Sequence, residues 1–170
     1  MRNFILLYSR ALLVLAAVAM VAALLCVLLG VAGRQLGFNI RGLDAYAGYA
    51  IAAALFMALP ETLRRGEHIR VTLLLQALPA VPRRWAETAC LSAGVLLSGF
   101  LAWFAARMVW QSYAFNDISQ GSDATPLWIP QLSMALGCIG LALAFVQALW
   151  SHWQGQTFIE APSSEAARVE

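Results

Sequence analysis

The densest group of charged and titratable residues is the segment from residue 64 to residue 71, which reads Arg-Arg-Gly-Glu-His-Ile-Arg-Val. A glutamate next to a histidine can transfer protons, so Glu67 and His68 are the first candidates for chemistry. No serine, cysteine or histidine has the arrangement of a nucleophile with its base. The two histidines, His68 and His152, lie in separate loops, and no cysteine pair has metal-ligand spacing. We therefore predict no catalytic residue, no metal site and no cofactor.

The amino-acid composition limits the environment in which the whole chain can fold. Hydrophobic residues make up 61% of the 170 residues, charged residues make up 12%, and the mean hydropathy is +0.71. Soluble domains carry about 25% charged residues, so this chain belongs in lipid. The net charge of +2 is too small for a nucleic-acid-binding protein. The three cysteines lie in apolar runs and do not predict a disulfide framework.

Charged residues divide the apolar sequence into four runs, each near the length of about 20 residues that crosses a bilayer. We predict an all-α integral membrane protein that forms one domain over residues 1–170. The second span is the shortest and requires snorkelling or tilt at its ends. The predicted spans cover residues 11–33, 44–63, 87–107 and 127–150.

The loop between the second and third spans has an amphipathic pattern of its own. Val71, Leu74, Leu75 and Leu78 follow the i, i+3, i+4, i+7 spacing of one helix face, and prolines follow at positions 79 and 82. We predict a short interfacial helix over residues 69–78, lying along the cytoplasmic membrane surface or against a partner helix. The polar tail, residues 151–170, is predicted to be disordered.

The distribution of arginine predicts the orientation of the chain. The N-terminal segment and the middle loop hold most of the arginines, and positive charge accumulates on the cytoplasmic side. We therefore expect a multi-pass membrane protein with both termini in the cytoplasm. The middle-loop arginines are expected to anchor the chain to anionic membrane lipid. They are Arg64, Arg65, Arg70, Arg83 and Arg84.

Between their flanking charges, the predicted spans contain no Asp, Glu, Lys, Arg or His. Ion pathways and charged-substrate sites normally need such residues at depth, so the chain is not expected to carry an ion alone. One alternative is a self-assembling four-helix channel or carrier, for which the available polar groups are Thr88, Ser92, Ser98 and Gln147. Another is a small membrane enzyme that uses Glu67, His68 or Asp117 at the interface.

The order of several elements also points to a family. The first span ends at Arg34, Asn39 and Asp44 precede the second, and the middle loop contains Arg-Gly-Glu-His-Ile-Arg-Val at residues 65–71. Thr-Pro-Leu-Trp-Ile-Pro at residues 125–130 opens the last span. Together these elements resemble the small membrane subunit, or small permease, of tripartite ATP-independent periplasmic (TRAP) transporters. The family often has a glutamate pair where this chain has Asp44 and Ala45.

The resemblance implies a non-catalytic scaffold subunit of the bacterial inner membrane that acts with a large membrane subunit carrying the sodium and substrate sites. It also implies a periplasmic substrate-binding protein as a partner and carboxylate-type solutes as the imported substrates. No nucleic acid is expected as a partner. The residues that match the family pattern are the expected contacts with a partner: Arg34, Asp44, Gly66, Glu67, His68, Trp128 and Pro130. We also expect Arg34 and Asp44, at the two ends of the first outer loop, to pair.

Overall fold

Four α-helices account for most of the residues that the structure describes. The computed structural model describes residues 2–38, 40–65, 79–121 and 123–154. Each helix is long and apolar enough to cross a membrane, so the predicted all-α class with four spans is confirmed. The predicted interfacial helix at residues 69–78 lies outside the described residues. The helices are α1 (Arg2–Leu36), α2 (Leu43–Arg64), α3 (Ala80–Ala114) and α4 (Trp128–Trp153).

The helices extend beyond the apolar runs. α1 and α3 each contain 35 residues, which corresponds to about 52 Å of helix, against a hydrocarbon thickness of about 30 Å. Arginine is a good helix former, so a charged residue at the end of an apolar run does not end the helix. α1 ends instead at Gly37, which has φ 76°, and α2 begins after Gly42, which has φ 80°.

The two prolines of the middle loop lie at the start of a membrane-spanning helix. α3 begins directly after Pro79, and Pro82 lies in the first turn of α3. A first-turn residue needs no N–H for helical hydrogen bonding, and the fixed φ of proline suits that position. Pro79 and Pro82 therefore mark the start of α3. The residues from 66 to 78 lie outside those that the structure describes. At the other end of the chain, α4 continues through Trp153, so residues 151–153 of the predicted tail are helical.

The four helices pack as an open row in the order α1, α2, α4, α3. α1 packs on α2, α2 on α4 and α4 on α3, while α1 touches α4 only lightly; the described residues provide no contact of α3 with α1 or α2. Phe56 faces Gly137 and, one turn on, Pro60 faces Gly140, so α2 and α4 are parallel. One end of the row, the Glu61 end, thus holds the starts of α1 and α3 and the last turns of α2 and α4. The opposite end is the Asp123 end.

Glycines allow the central helices to approach closely. A β-carbon on Gly137 would meet the backbone of Phe56, and one on Gly140 would lie 2.7 Å from Cγ of Pro60. Small residues at such positions let backbones pack tightly, which drives helix association in lipid. The neighbouring core clusters consist of α4 residues with residues of α2 or α3: Leu63, Leu141 and Ala144, and Ala105, Ala135 and Cys138.

The outer faces of the row are apolar and exposed, as expected for surfaces that meet lipid or another membrane protein. Aromatic rings mark the ends of α4: about 33 Å of helix separates Trp128 from Trp150, close to the thickness of the hydrocarbon layer. The most exposed large side chains of α3 are Trp85, Leu96, Leu97, Phe100, Trp103 and Trp110.

Candidate functional site

The largest buried polar side chain of the described residues is a carboxylate. Glu61 lies on the stripe of α2 that also contains Ala47 and Ala54, and these three buried residues, seven apart, share one helix face. α1 and α4 both pack against α2. A carboxylate with a side chain only 3% exposed would be strongly unfavourable without partners, so its contacts determine whether this arrangement is stable.

Two arginines at the end of α2 neutralise Glu61. Arg64 donates from Nε to Oε2 at 2.9 Å and from Nη2 to Oε1 at 2.6 Å, which makes a bidentate pair. Arg65 donates from Nε to Oε1 at 3.1 Å. The Arg64 side chain is 17% exposed and that of Arg65 is 49% exposed. The carboxylate is therefore buried, while the arginines reach from it towards the end of the row.

The distance of Glu61 from the start of α2 is shorter than the thickness of a hydrocarbon layer. Tyr46, in the first turn of α2, has the amphipathic ring that favours the membrane interface. About 22 Å of helix separates Tyr46 from Glu61, less than the thickness of about 30 Å of the hydrocarbon layer. α2 is thus the one described helix that holds a buried, ion-paired carboxylate along its apolar length. Ionisable residues at such depth are retained for function or assembly.

A second charged group joins α3 to α4 at the Glu61 end. Arg83 donates from Nε to Oε1 of Glu87 at 2.9 Å, and Nδ1 of His152 lies 3.8 Å from Oε2 of Glu87. Nε2 of His152 lies 3.1 Å from the hydroxyl of Thr88, which donates to the carbonyl of Arg84 at 2.8 Å. This group fixes the last turn of α4 against α3.

At the Asp123 end, the loop between α3 and α4 is attached to the start of α2. Asp123 accepts hydrogen bonds from the hydroxyl of Tyr49 at 3.1 Å and the hydroxyl of Ser119 at 2.9 Å. Hydrogen bonding from Thr125, followed by that from Ser119 and Tyr49, lowers the pKa of the Asp123 carboxyl against the opposing effect of desolvation. A β-carbon on Gly42 would lie 2.6 Å from that of Asp123, so the loop sits directly on the helix start.

The same loop has a regular backbone. Ile118 and Pro126 form an isolated antiparallel bridge. The backbone N–H of Ser119 donates to the carbonyl of Thr125 at 2.8 Å, and the backbone N–H of Leu127 donates to the carbonyl of Asp117 at 2.9 Å. The loop therefore presents a folded surface at the end of the row.

The predicted partner residues outside the middle loop occupy different places. Trp128 begins α4 and packs edge-on against Tyr113 of α3, with ring centroids 5.8 Å apart. Asp44 is exposed in the first turn of α2, where a negative charge favours the helix dipole. The expected Arg34–Asp44 pair is not formed, because Nε of Arg34 donates to the carbonyl of Gly30 in its own helix, at 3.3 Å.

Pro130 lies in the first turn of α4, and its carbonyl accepts from the hydroxyl of Ser133 at 2.7 Å. Gly66, Glu67, His68 and Arg70 lie outside the described residues, so their predicted roles stay predictions. Within the described part of the chain, no three His, Cys, Asp or Glu side chains come together in a way that could hold a metal ion.

Sequence reasoning misses the importance of Glu61, because the residue stands at the flank of an apolar run. A signal is nevertheless present: an acidic residue followed by arginines three and four positions later is a helical ion-pair pattern. Asp123 likewise reads as an ordinary loop charge. Its contacts with α2 join residues 74 positions apart, and no local pattern predicts them.

Comparison with known proteins identifies the family. A sequence model described as "Tripartite ATP-independent periplasmic transporters, DctQ component" matches residues 23–155. The chain belongs to this family. A curated DctQ relative, the C4-dicarboxylate TRAP transporter small permease protein DctQ of Rhodobacter capsulatus, is 25% identical over 121 residues. The match covers 68% of this chain and 53% of the relative, so the chain spans about half the length of the curated relative that it matches.

No solved structure matches the chain. The DctQ family match together with the four apolar helices makes this chain a multi-pass membrane component of a transport system. The match begins within α1 and ends just after α4, so it includes both the Glu61 pair and the Asp123 loop. The resemblance to a TRAP small membrane subunit is thereby confirmed.

Proposed function

We propose that this chain is the non-catalytic small permease subunit of a binding-protein-dependent secondary importer, in which it serves as a membrane scaffold for a large membrane subunit. Membership of the DctQ family supports this function. The structural observation that carries it is the open row of helices. A row with two exposed apolar faces offers surfaces for assembly, and its described residues enclose no passage for a solute.

Two of the four polar groups that a channel would need make hydrogen bonds within their own helix. The hydroxyl of Ser98 donates to the carbonyl of Gly94 in its own helix, and that of Thr88 donates to Arg84. Gln147 is buried rather than facing an opening. The described part of the chain therefore gives no support to a channel formed by one copy. A channel assembled from several copies would conduct ions or solute in proteoliposomes that contain the chain alone, which a flux measurement tests.

In this proposal the sodium and substrate sites belong to the large subunit. The relative from Rhodobacter capsulatus is named for C4-dicarboxylates, which supports a carboxylate as the class of imported solute. We also propose that both termini lie in the cytoplasm, as the distribution of arginine predicts. In that orientation the Asp123 end faces the periplasm, and the folded loop at residues 115–127 is our proposed contact for a periplasmic substrate-binding protein.

The proposed contacts with the large subunit include the family-pattern residues Gly66, Glu67 and His68 of the middle loop, together with Arg34 and Asp44. Trp128 and Pro130 contribute through the start of α4, where Trp128 already braces α3 through Tyr113. The exposed aromatic surface of α3 supplies the apolar area that such an interface needs.

Assembly can be tested by co-expressing the chain with a large TRAP membrane subunit from the same organism and purifying through a tag on the small chain. We expect the two to co-purify, and Glu67→Gln with His68→Ala to reduce the recovered large subunit without reducing the small one. Asp117→Asn is the control with no expected effect, because this exposed residue lies in the loop proposed for the substrate-binding protein and not in the proposed contact with the large subunit. A small chain that is always recovered alone, from a membrane that contains the large protein, would contradict the proposal.

A further inference from the structure

We propose that the Glu61 end binds the phosphate groups of anionic phospholipids, with Arg65 and Arg84 as the principal ligands. This goes beyond the scaffold function, because it assigns a ligand to one end of this chain whatever protein covers its faces. Two observations support the proposal. Some arginine nitrogens at this end are not used in ion pairs, and the surrounding residues are rich in positive charge and exposed tryptophan.

The ion pairs divide the arginines into two classes. Arg64 is held by Glu61 through two nitrogens, and Nε of Arg83 is held by Glu87. Arg65 contacts Glu61 through Nε only, so its two terminal amino groups make no bond to Glu61, and its side chain is half exposed. Arg84 is exposed, and within the described residues its guanidinium makes no ion pair. A guanidinium with outward N–H groups is well suited to binding phosphate oxygens.

The two ends of the row also differ in charge. The described side chains at the Glu61 end include five arginines and two glutamates, whereas those at the Asp123 end include three arginines and three aspartates. An excess of positive charge at one end complements the anionic surface of a lipid leaflet. Beside the arginines, Trp85, Trp150 and Trp153 each expose more than half of their surface. Exposed tryptophans mixed with arginines are typical of the headgroup region, which favours lipid over an acidic protein as the occupant.

The test measures lipid preference on the full-length chain reconstituted in bilayers. The probes are phosphatidylglycerol and phosphatidylcholine with brominated acyl chains, which quench tryptophan fluorescence. Trp103, Trp110 and Trp128 are replaced by Phe in every preparation, so that the remaining tryptophans lie at the Glu61 end. The ratio of the two association constants is the readout. We expect the wild type to prefer phosphatidylglycerol. Arg65→Gln and Arg84→Gln should each lower the preference about fivefold, in line with the contribution of one arginine near an anionic surface.

Arg107→Gln is the matched control, since it removes the same charge from an exposed position at the opposite end of the row. Arg65→Lys keeps the charge and should retain most of the preference, which separates loss of the ligand from loss of fold. An unchanged preference in both glutamine variants, or an equal loss in Arg107→Gln, would overturn the proposal.

Two further arms distinguish other occupants. Millimolar inorganic phosphate added to the bilayers should leave the preference intact; if it abolished the preference, the site would be one for free anions. If Arg65→Gln instead reduced recovery of the large subunit with the lipid preference unchanged, the arginine would be a protein contact and the lipid assignment would be wrong.

Discussion

Glu61 and Arg64 form a bidentate ion pair within a single turn of α2, at distances of 2.6 and 2.9 Å, and the carboxylate is almost fully buried. The pair explains how a helix that crosses the membrane can contain a charged residue facing its neighbours. The carboxylate supplies the acceptors and the arginines connect it to the end of the row. Each partner is needed because the other would be left charged and poorly solvated.

The first prediction concerns the stability of this pair. Arg64→Ala should lower the free energy of unfolding by about 3 kcal/mol, since it leaves a buried carboxylate with only the single hydrogen bond from Arg65. Arg65→Ala should cost less than about 1 kcal/mol, because that side chain is half exposed and makes one contact. Unfolding of the purified chain in detergent micelles, followed by circular dichroism, measures both.

A double variant provides the control. Replacing Glu61 and Arg64 together, by Gln and Met, removes both charges and should be less destabilising than Arg64→Ala alone. Equal losses for Arg64→Ala and Arg65→Ala would show that the bidentate pair does not dominate the stability of this cluster.

Glu61 also shows what a sequence reveals about a membrane helix. Hydropathy locates the four spans because lipid demands apolar runs of a fixed length, and the structure has a helix at each of them. Hydropathy does not distinguish a charge at the end of a span from one buried within a helix that continues past it. Glu61 lies three residues before the helix end, and only its packing against neighbouring helices reveals that it is buried.

The second prediction tests the close approach of α2 and α4. Gly137→Ala should destabilise the fold by about 1–3 kcal/mol, because the added methyl group would clash with the backbone of Phe56, which cannot rotate away. Gly99→Ala is the matched control: Gly99 is also helical, and nothing lies within 4 Å of its β-carbon position. Thermal unfolding of both variants in the same micelles is the measurement, and a loss in Gly99→Ala as large as that in Gly137→Ala would contradict this packing.

The third prediction concerns acidic pH at the Asp123 end. Hydrogen bonds to the ionised carboxylate lower the pKa of Asp123 from its ordinary value of 3.8, so the folded chain holds this proton less tightly than the unfolded chain does. The contribution of Asp123 to stability is therefore fully present well above pH 3.8 and is lost as the pH falls through the lowered pKa.

Asp123→Asn should accordingly be less stable than the wild type near neutral pH, and the difference in stability should shrink as the pH falls below 3.8. Melting temperatures at a series of pH values measure this, with Asp117→Asn, an exposed aspartate of the same loop, as the control. If the difference in melting temperature between the wild type and Asp123→Asn stayed constant over that range, a role for the ionised carboxylate would be ruled out.

The loop around Asp123 also marks the limit of prediction from this sequence. Gly42, Tyr49 and Asp123 meet because α2 and the α3–α4 loop are brought together by the packing of α2 on α4. Those residues are far apart in the chain, and each alone is an ordinary glycine, tyrosine or aspartate. The family resemblance, by contrast, rests on short local motifs, which the sequence displays whatever the packing of the helices.

The scaffold role is tested most directly by sodium-driven uptake of a labelled C4-dicarboxylate into proteoliposomes. Three preparations are compared in the presence of the periplasmic binding protein: the chain alone, the large subunit alone, and both together. We predict uptake only when both subunits are present, with no flux of solute or sodium through the chain alone. Uptake or ion conductance by the chain alone would contradict the scaffold role and favour the self-assembled channel.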